Sequence, residues 1–165
     1  MRKPDPIIIG IIAITIIIFI GIIAVAIITQ EKPIPQYNVN DTERPKLSIN
    51  QTKFDFGKMK LTDIKTQDME IKNIGTKPLV LSDFKTSCDC TFAQIVINGQ
   101  ESPLFSMGGS SNWQGEITPQ SSAIVKVIYE PKVMPVKGKV NRQVVFKTND
   151  PENSLINLSF TAEVE

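Results

Sequence analysis

Ile156-Asn-Leu-Ser-Phe-Thr-Ala-Glu-Val164 alternates without a break. Ile156, Leu158, Phe160, Ala162 and Val164 fall on one side, and Asn157, Ser159, Thr161 and Glu163 on the other. A period of two is the repeat of an extended strand, whose successive side chains point to opposite faces. An apolar face backed by a polar one describes a strand that covers a core on one side and meets water on the other.

Upstream, the same rhythm returns in shorter form, cut by turn residues. Val144 and Phe146 precede Asn149-Asp150-Pro151; Val125, Val127 and Tyr129 stop at Pro131. Ile95-Val96-Ile97 runs into Asn98-Gly99, and Leu79-Val80-Leu81 follows Pro78. Met69 and Ile71 lead to Asn73-Ile74-Gly75, Phe54 and Phe56 to Gly57, and Leu47 alternates with Ile49. About eight short strands between turn signals, with no helical period among them, predict an all-β, antiparallel sandwich over residues 46–165. Residues 98–120 break the pattern with Gly99, Gly108, Gly109 and Gly115, several serines and Trp113. A loop this long is commonly functional or mobile, and Phe105, Met107 and Trp113 give it side chains that can fold back on the sandwich.

The other end of the chain obeys different physics. Ile7 to Ile28 runs 22 residues without a charge. At ~1.5 Å per residue a helix of that length covers roughly 33 Å, enough for a hydrocarbon core of about 30 Å. The reading is a single transmembrane helix at 7–28. Arg2 and Lys3, against Asp5, keep residues 1–6 cytoplasmic by the positive-inside rule and send the rest across. Residues 29–45, polar and carrying Pro33, Pro35 and Pro45, read as a stalk. The competing reading is a signal peptide cleaved after Ala26, because Ala24-Val25-Ala26 fits the small-x-small pattern. The apolar run exceeds a usual signal core and continues through Ile27 and Ile28, which favours the anchor.

Composition narrows the function. Removing Arg2, Lys3 and Asp5 from 18 basic and 17 acidic residues leaves 16 of each, a neutral domain without the charge for nucleic acid. The chain has no histidine, so the commonest general base and metal ligand are missing, and with them the usual nucleophile pairs. The expectation is a protein that is not an enzyme. Only Ser87-Cys88-Asp89-Cys90-Thr91 stands out chemically. Three readings stay open for Cys88 and Cys90: small structural residues at a strand entrance, a soft-metal pair, or a redox couple. Two thiolates do not complete a metal site, so Met107, Met134 or a second molecule would have to help. In an extended strand, residues two apart have Cα atoms roughly 6.6 Å apart, near the far limit for a disulfide.

These residues resemble a bacterial cell-envelope family built on domain of unknown function 1573. Phe54-Asp55-Phe56-Gly57, Asn73-Ile74-Gly75 with Pro78-Leu79, Ser87-Cys88-Asp89-Cys90-Thr91 and Thr148-Asn149-Asp150-Pro151 carry the resemblance, over about Leu47 to Val164. It implies an immunoglobulin-like sandwich related to Hydin and major-sperm-protein domains. Phe54, Phe56, Gly57, Asn73, Gly75, Asn149, Asp150 and Pro151 then become structural motif residues. Asp89 stands where the family usually has glycine, residues 98–117 look like an insertion, and Thr118-Pro119-Gln120-Ser121 replaces a Pro-Gly turn. The resemblance implies no activity. The expected protein is a single-pass membrane protein with an extracytoplasmic binding or scaffolding domain, no cofactor, and the bilayer and an envelope protein as partners. The alternative is a membrane-tethered copper-binding or thiol-redox accessory protein acting through Cys88 and Cys90.

Overall fold

The structure, a computed structural model, describes residues 6–28, 33–109 and 112–165. The expected cytoplasmic segment with Arg2, Lys3 and Asp5 lies outside the described residues, as does the head of the stalk at 29–32. The chain divides into two compact units, Met1–Pro33 and Ile34–Glu165, so residues from 34 onward group with the sandwich.

In the first unit one helix, α1, runs Pro6–Ile28. Its side chains at 9, 11 and 26–28 lie outside the described residues. Among the described residues, no helix is long and apolar enough to cross a membrane.

Among the described residues, the second unit holds ten strands: β1 (Leu47–Ile49), β2 (Lys53–Met59), β3 (Lys65–Asn73), β4 (Leu79–Thr86), β5 (Thr91–Ile97), β6 (Gln100–Glu101), β7 (Gly115–Ile117), β8 (Ser122–Tyr129), β9 (Gly138–Thr148) and β10 (Leu155–Val164). They form two five-stranded sheets, ordered β1-β3-β8-β5-β6 and β2-β10-β9-β4-β7. The alternation that defines β10 holds at every position: Ile156, Leu158, Phe160, Ala162 and Val164 are all buried. β9 supplies the matching layer, with Ile156 opposite Phe146, Leu158 opposite Val144 and Ala162 opposite Val140. Val125, Val127 and Tyr129 of β8 close the core from the other sheet.

One pairing departs from the expected antiparallel sandwich. β2 runs parallel to β10, with Phe54 beside Phe160. The cause is a change of sheet: β1 pairs antiparallel with β3, and the chain then crosses at residues 50–52 to the other sheet. Because it continues in its own direction, it meets the last strand running the same way.

The long loop folds back. β6 and an isolated Ala93–Phe105 bridge extend the edge at β5, while β7 pairs with the edge at β4. The segment therefore runs along one open side of the sandwich and touches both sheets. Phe105 is buried there, its ring 4.9 Å from Phe84 and 5.3 Å from Trp113. Gly115 makes this closure possible, since a Cβ there would lie 2.3 Å from the Trp113 ring.

Strand direction sorts the turns into two ends. Asn73–Pro78, Thr118–Ser121 and Asn149–Ser154 share one end with the start of β1. Residues 60–64, 87–90 and 130–137 share the other.

Candidate functional site

At the β1 end, the motif residues are spent on holding turns together. The Asn73 amide is buried and makes four bonds. Its Oδ1 accepts from the Lys46 and Gly75 backbone N–H groups at 3.3 and 3.0 Å. Its Nδ2 donates to the Lys77 and Ile117 carbonyls at 2.8 and 3.0 Å. Gly75 is needed because residues 44–46 lie against it: an added Cβ would fall 2.3 Å from the Arg44 carbonyl oxygen. Asn149 ties the opposite turn to β4, accepting from Val80 N–H at 2.8 Å and donating to the Pro78 carbonyl at 3.2 Å.

Asp150 is fully buried and accepts four bonds. Oδ1 takes the Arg44 guanidinium at 3.1 Å and Glu152 N–H at 3.1 Å. Oδ2 takes Leu47 N–H and Asn153 Nδ2, both at 2.9 Å. A buried carboxylate is tolerable only when its lone pairs are filled by donors, at least one of them charged. Arg44 also reaches Glu152 at 2.8 Å, and that bond raises its pKa further above the guanidinium value. The arrangement clamps the segment entering β1 onto the turn between β9 and β10, and Pro151 follows in that turn. Nothing in the sequence singled out Arg44, because it lies in a stretch that reads as stalk.

Gly57 sits within β2 at a bulge, with φ of 65°. Two residues of β2 are accommodated where the β10 register shifts between Thr161 and Glu163. The Asp55 carboxylate accepts from Gly57 N–H at 3.0 Å and from Thr161 Oγ1 at 2.9 Å, which holds its pKa below the ordinary aspartate value. Phe54 and Phe56 are half-buried and pack on Phe160 at 5.4 and 4.9 Å.

At the opposite end, Cys88 and Cys90 are joined in a disulfide with Cα atoms 5.2 Å apart. The extended-strand spacing does not apply, because the pair occupies a turn between β4 and β5 that brings the two residues closer. Both are buried. The turn is bonded on every side. Ser87 N–H donates to the Gln143 carbonyl at 3.0 Å, and Gln143 N–H to Ser87 Oγ at 2.9 Å. Thr86 Oγ1 donates to the Cys88 carbonyl at 2.8 Å, Thr91 N–H to the same carbonyl at 3.2 Å, and Glu130 N–H to the Cys90 carbonyl at 2.9 Å. While the bond is closed, neither sulfur can act as a thiolate ligand. Met107 lies exposed in the turn after Phe105, and Met134 lies exposed in the loop after β8. Among the described residues, no group of three or more His, Cys, Asp or Glu side chains could hold a metal ion.

Near this end, among the described residues, the buried Tyr129 Oη and Arg142 Nε have no hydrogen-bond partner. Arg142 stands between the inward-facing Val140 and Val144 and opposite buried Phe160. Burial pushes the Tyr129 phenol up, and the charge of Arg142 opposes that in part. Neither group was legible as a candidate, since Tyr129 reads as the third apolar member of its strand.

Residues 47–102 match the family described as "Protein of unknown function (DUF1573)". No curated protein matches the chain. Among solved structures, a protein of unknown function from Porphyromonas gingivalis W83 aligns with a TM-score of 0.58 at 20% identity, over 74% of this chain. This chain spans about half of that one, 48% of its length. The human CEP192 PapD-like domain 7 aligns over 83% of this chain and 95% of that one, at 10% identity and a TM-score of 0.47. The first likeness concerns the fold alone and says nothing about activity.

Proposed function

We propose that this chain is a single-pass, membrane-tethered module of the cell envelope whose extracytoplasmic sandwich binds or scaffolds without catalysis. The observation that carries the non-catalytic part is the accounting of polar groups. Asn73, Asn149 and Asp150 each have their donors and acceptors filled from within the domain, and both cysteine sulfurs are bonded and buried. A site that does acid–base or nucleophilic work needs a reactive group left free to meet substrate.

The tether rests on the sequence. A helix that is apolar on all sides is suited to lipid, because water cannot be a good solvent for every face. Copper binding requires the Cys88–Cys90 bond to open first, whereas in the thiol-redox alternative the closed bond is the oxidised form. The test is alkaline extraction of membranes containing the full chain, with protease added to the outside of intact cells. Retention in the membrane with digestion of the sandwich is expected. Release by alkali, or a mature amino terminus at Ile27, overturns the tether; protection of the sandwich in intact cells overturns the topology.

A further inference from the structure

The end of the sandwich away from the Asp150 clamp combines exposed aliphatic side chains with lysines that make no ion pair among the described residues. Ile64 ends the turn after β2 and is 61% exposed, and Val133, Met134 and Val136 of the loop after β8 are 45, 43 and 41% exposed. The two loops meet, because Lys65, next to Ile64, pairs across β3 and β8 with Tyr129, from which the second loop departs. Elsewhere Val39, Ile74 and Leu155 stand exposed one to a segment, and Leu104 and Met107 share the loop that folds back along the sandwich.

Lysines gather in the same place. Residues 60–65 and 130–137 carry Lys60, Lys65, Lys132 and Lys137 against Asp63 and Glu130; with Asp89 of the third turn at this end the net is +1, whereas everything after Thr29 sums to zero. Flanking charges cancel, Lys58 on Glu165 at 2.8 Å and Lys139 opposite Glu163 in the β9–β10 register. Lys65 turns inward along β2, its Nζ donating to the Phe56 and Lys58 carbonyls. Those bonds fill acceptors along β2, so strand addition is not what this end invites.

We infer that this tip docks on an anionic lipid surface, with Ile64, Val133, Met134 and Val136 entering the headgroup boundary and Lys60, Lys132 and Lys137 meeting the lipid charge. Lysine interleaved with aliphatic side chains suits that occupant: apolar area enters the interface and each nearby lysine adds attraction to acidic headgroups. The inference does not depend on the tether.

The experiment places a reporter in the tip of the full chain, Met134→Trp, reconstituted in phosphatidylcholine vesicles with or without phosphatidylglycerol, using brominated lipid as quencher. The unsubstituted chain gives the Trp113 background. Quenching at position 134 is expected to be about threefold greater in the anionic vesicles and to fall with added salt. It should return to background in Lys60→Glu/Lys132→Glu/Lys137→Glu. Equal quenching in both lipids, no quenching in either, or full quenching in the triple variant each overturns the proposal. The lipid comparison stands on its own should the triple variant fail to fold, and absence of quenching would turn the patch toward a protein partner.

Discussion

Replacing Asp150 tests whether the clamp, rather than a binding site, is what the Thr148–Pro151 motif builds. In Asp150→Ala, the Leu47 N–H loses its acceptor in a buried position, worth about 1–3 kcal/mol. The Arg44, Glu152 and Asn153 bonds go with it. Removing one member of a buried charged pair costs roughly 3–5 kcal/mol, which bounds the whole effect. Domains of this kind unfold at roughly 5–15 kcal/mol, so the variant should remain only marginally folded. Asp150→Asn is the sharper control. All four partners are donors, so whichever way the amide turns, its NH2 faces two donors instead of accepting from them. It should lose about 2–4 kcal/mol despite matching the shape. Arg44→Ala removes the one charged donor from a buried carboxylate, so it should cost about 3–5 kcal/mol even though three neutral donors stay on Asp150. The assay is urea unfolding of residues 34–165, with a constant slope required before midpoints are compared. A loss of less than about 0.5 kcal/mol in either Asp150→Asn or Arg44→Ala would refute the four-donor account.

The phenol of Tyr129 is buried without a partner, so Tyr129→Phe should be neutral or stabilising by up to about 1 kcal/mol in urea unfolding; a clear loss would reveal a bond to an internal water. Its raised folded pKa means that wild-type stability is fully present below the unfolded tyrosine value near 10 and falls as pH rises through and above it, where the unfolded chain ionises first; pH-dependent melts of Tyr129→Phe should lack that component. Gly75→Ala and Gly57→Ala separate two glycine roles. The first drives a Cβ into backbone and should cost at least the ~1–3 kcal/mol of overpacking, while the second meets open space and only the left-handed penalty of roughly 1 kcal/mol; equal losses would contradict the contact argument. In Cys88→Ser/Cys90→Ser, the turn keeps the Ser87–Gln143 and Cys90–Glu130 backbone bonds, and a bridge spanning one intervening residue removes little unfolded-state entropy, so a loss within about 1–2 kcal/mol is expected by thermal melting; failure to fold would make the bond a principal staple.

The alternation of β10 was legible because burial decides both of its faces at every position, and a slip of one residue would invert them all. The parallel partnership of β2 was not legible. It depends on which sheet the chain enters after residues 50–52, and the same Phe54, Phe56 spacing suits either direction. Arg44 was invisible for a related reason. Proline and charge from 30 to 45 suggest a stalk by composition, yet Arg44 finds Asp150 106 residues away. The cysteines misled through an assumption of extended backbone, which the turn at 87–90 removes.

The deeper ambiguity concerns what a polar residue in an unusual place means. In a sequence, Asn73, Asn149 and Asp150 look the same whether they bind a ligand or close a turn, since both uses call for a side chain rich in donors or acceptors beside a break in the strand pattern. Counting bonds separates the two uses. Asn73 spends its whole amide on four backbone groups of its own domain, and a ligand would have to displace one of them at the cost of stranding a buried partner. Tyr129 and Arg142 present the reverse case. Their strand patterns ask for apolar side chains facing inward, and the polar atoms carried in with them are the ones the fold leaves without partners. Residues that look chemical by motif are therefore the satisfied ones here, and residues that look like plain core retain unmet hydrogen-bonding capacity.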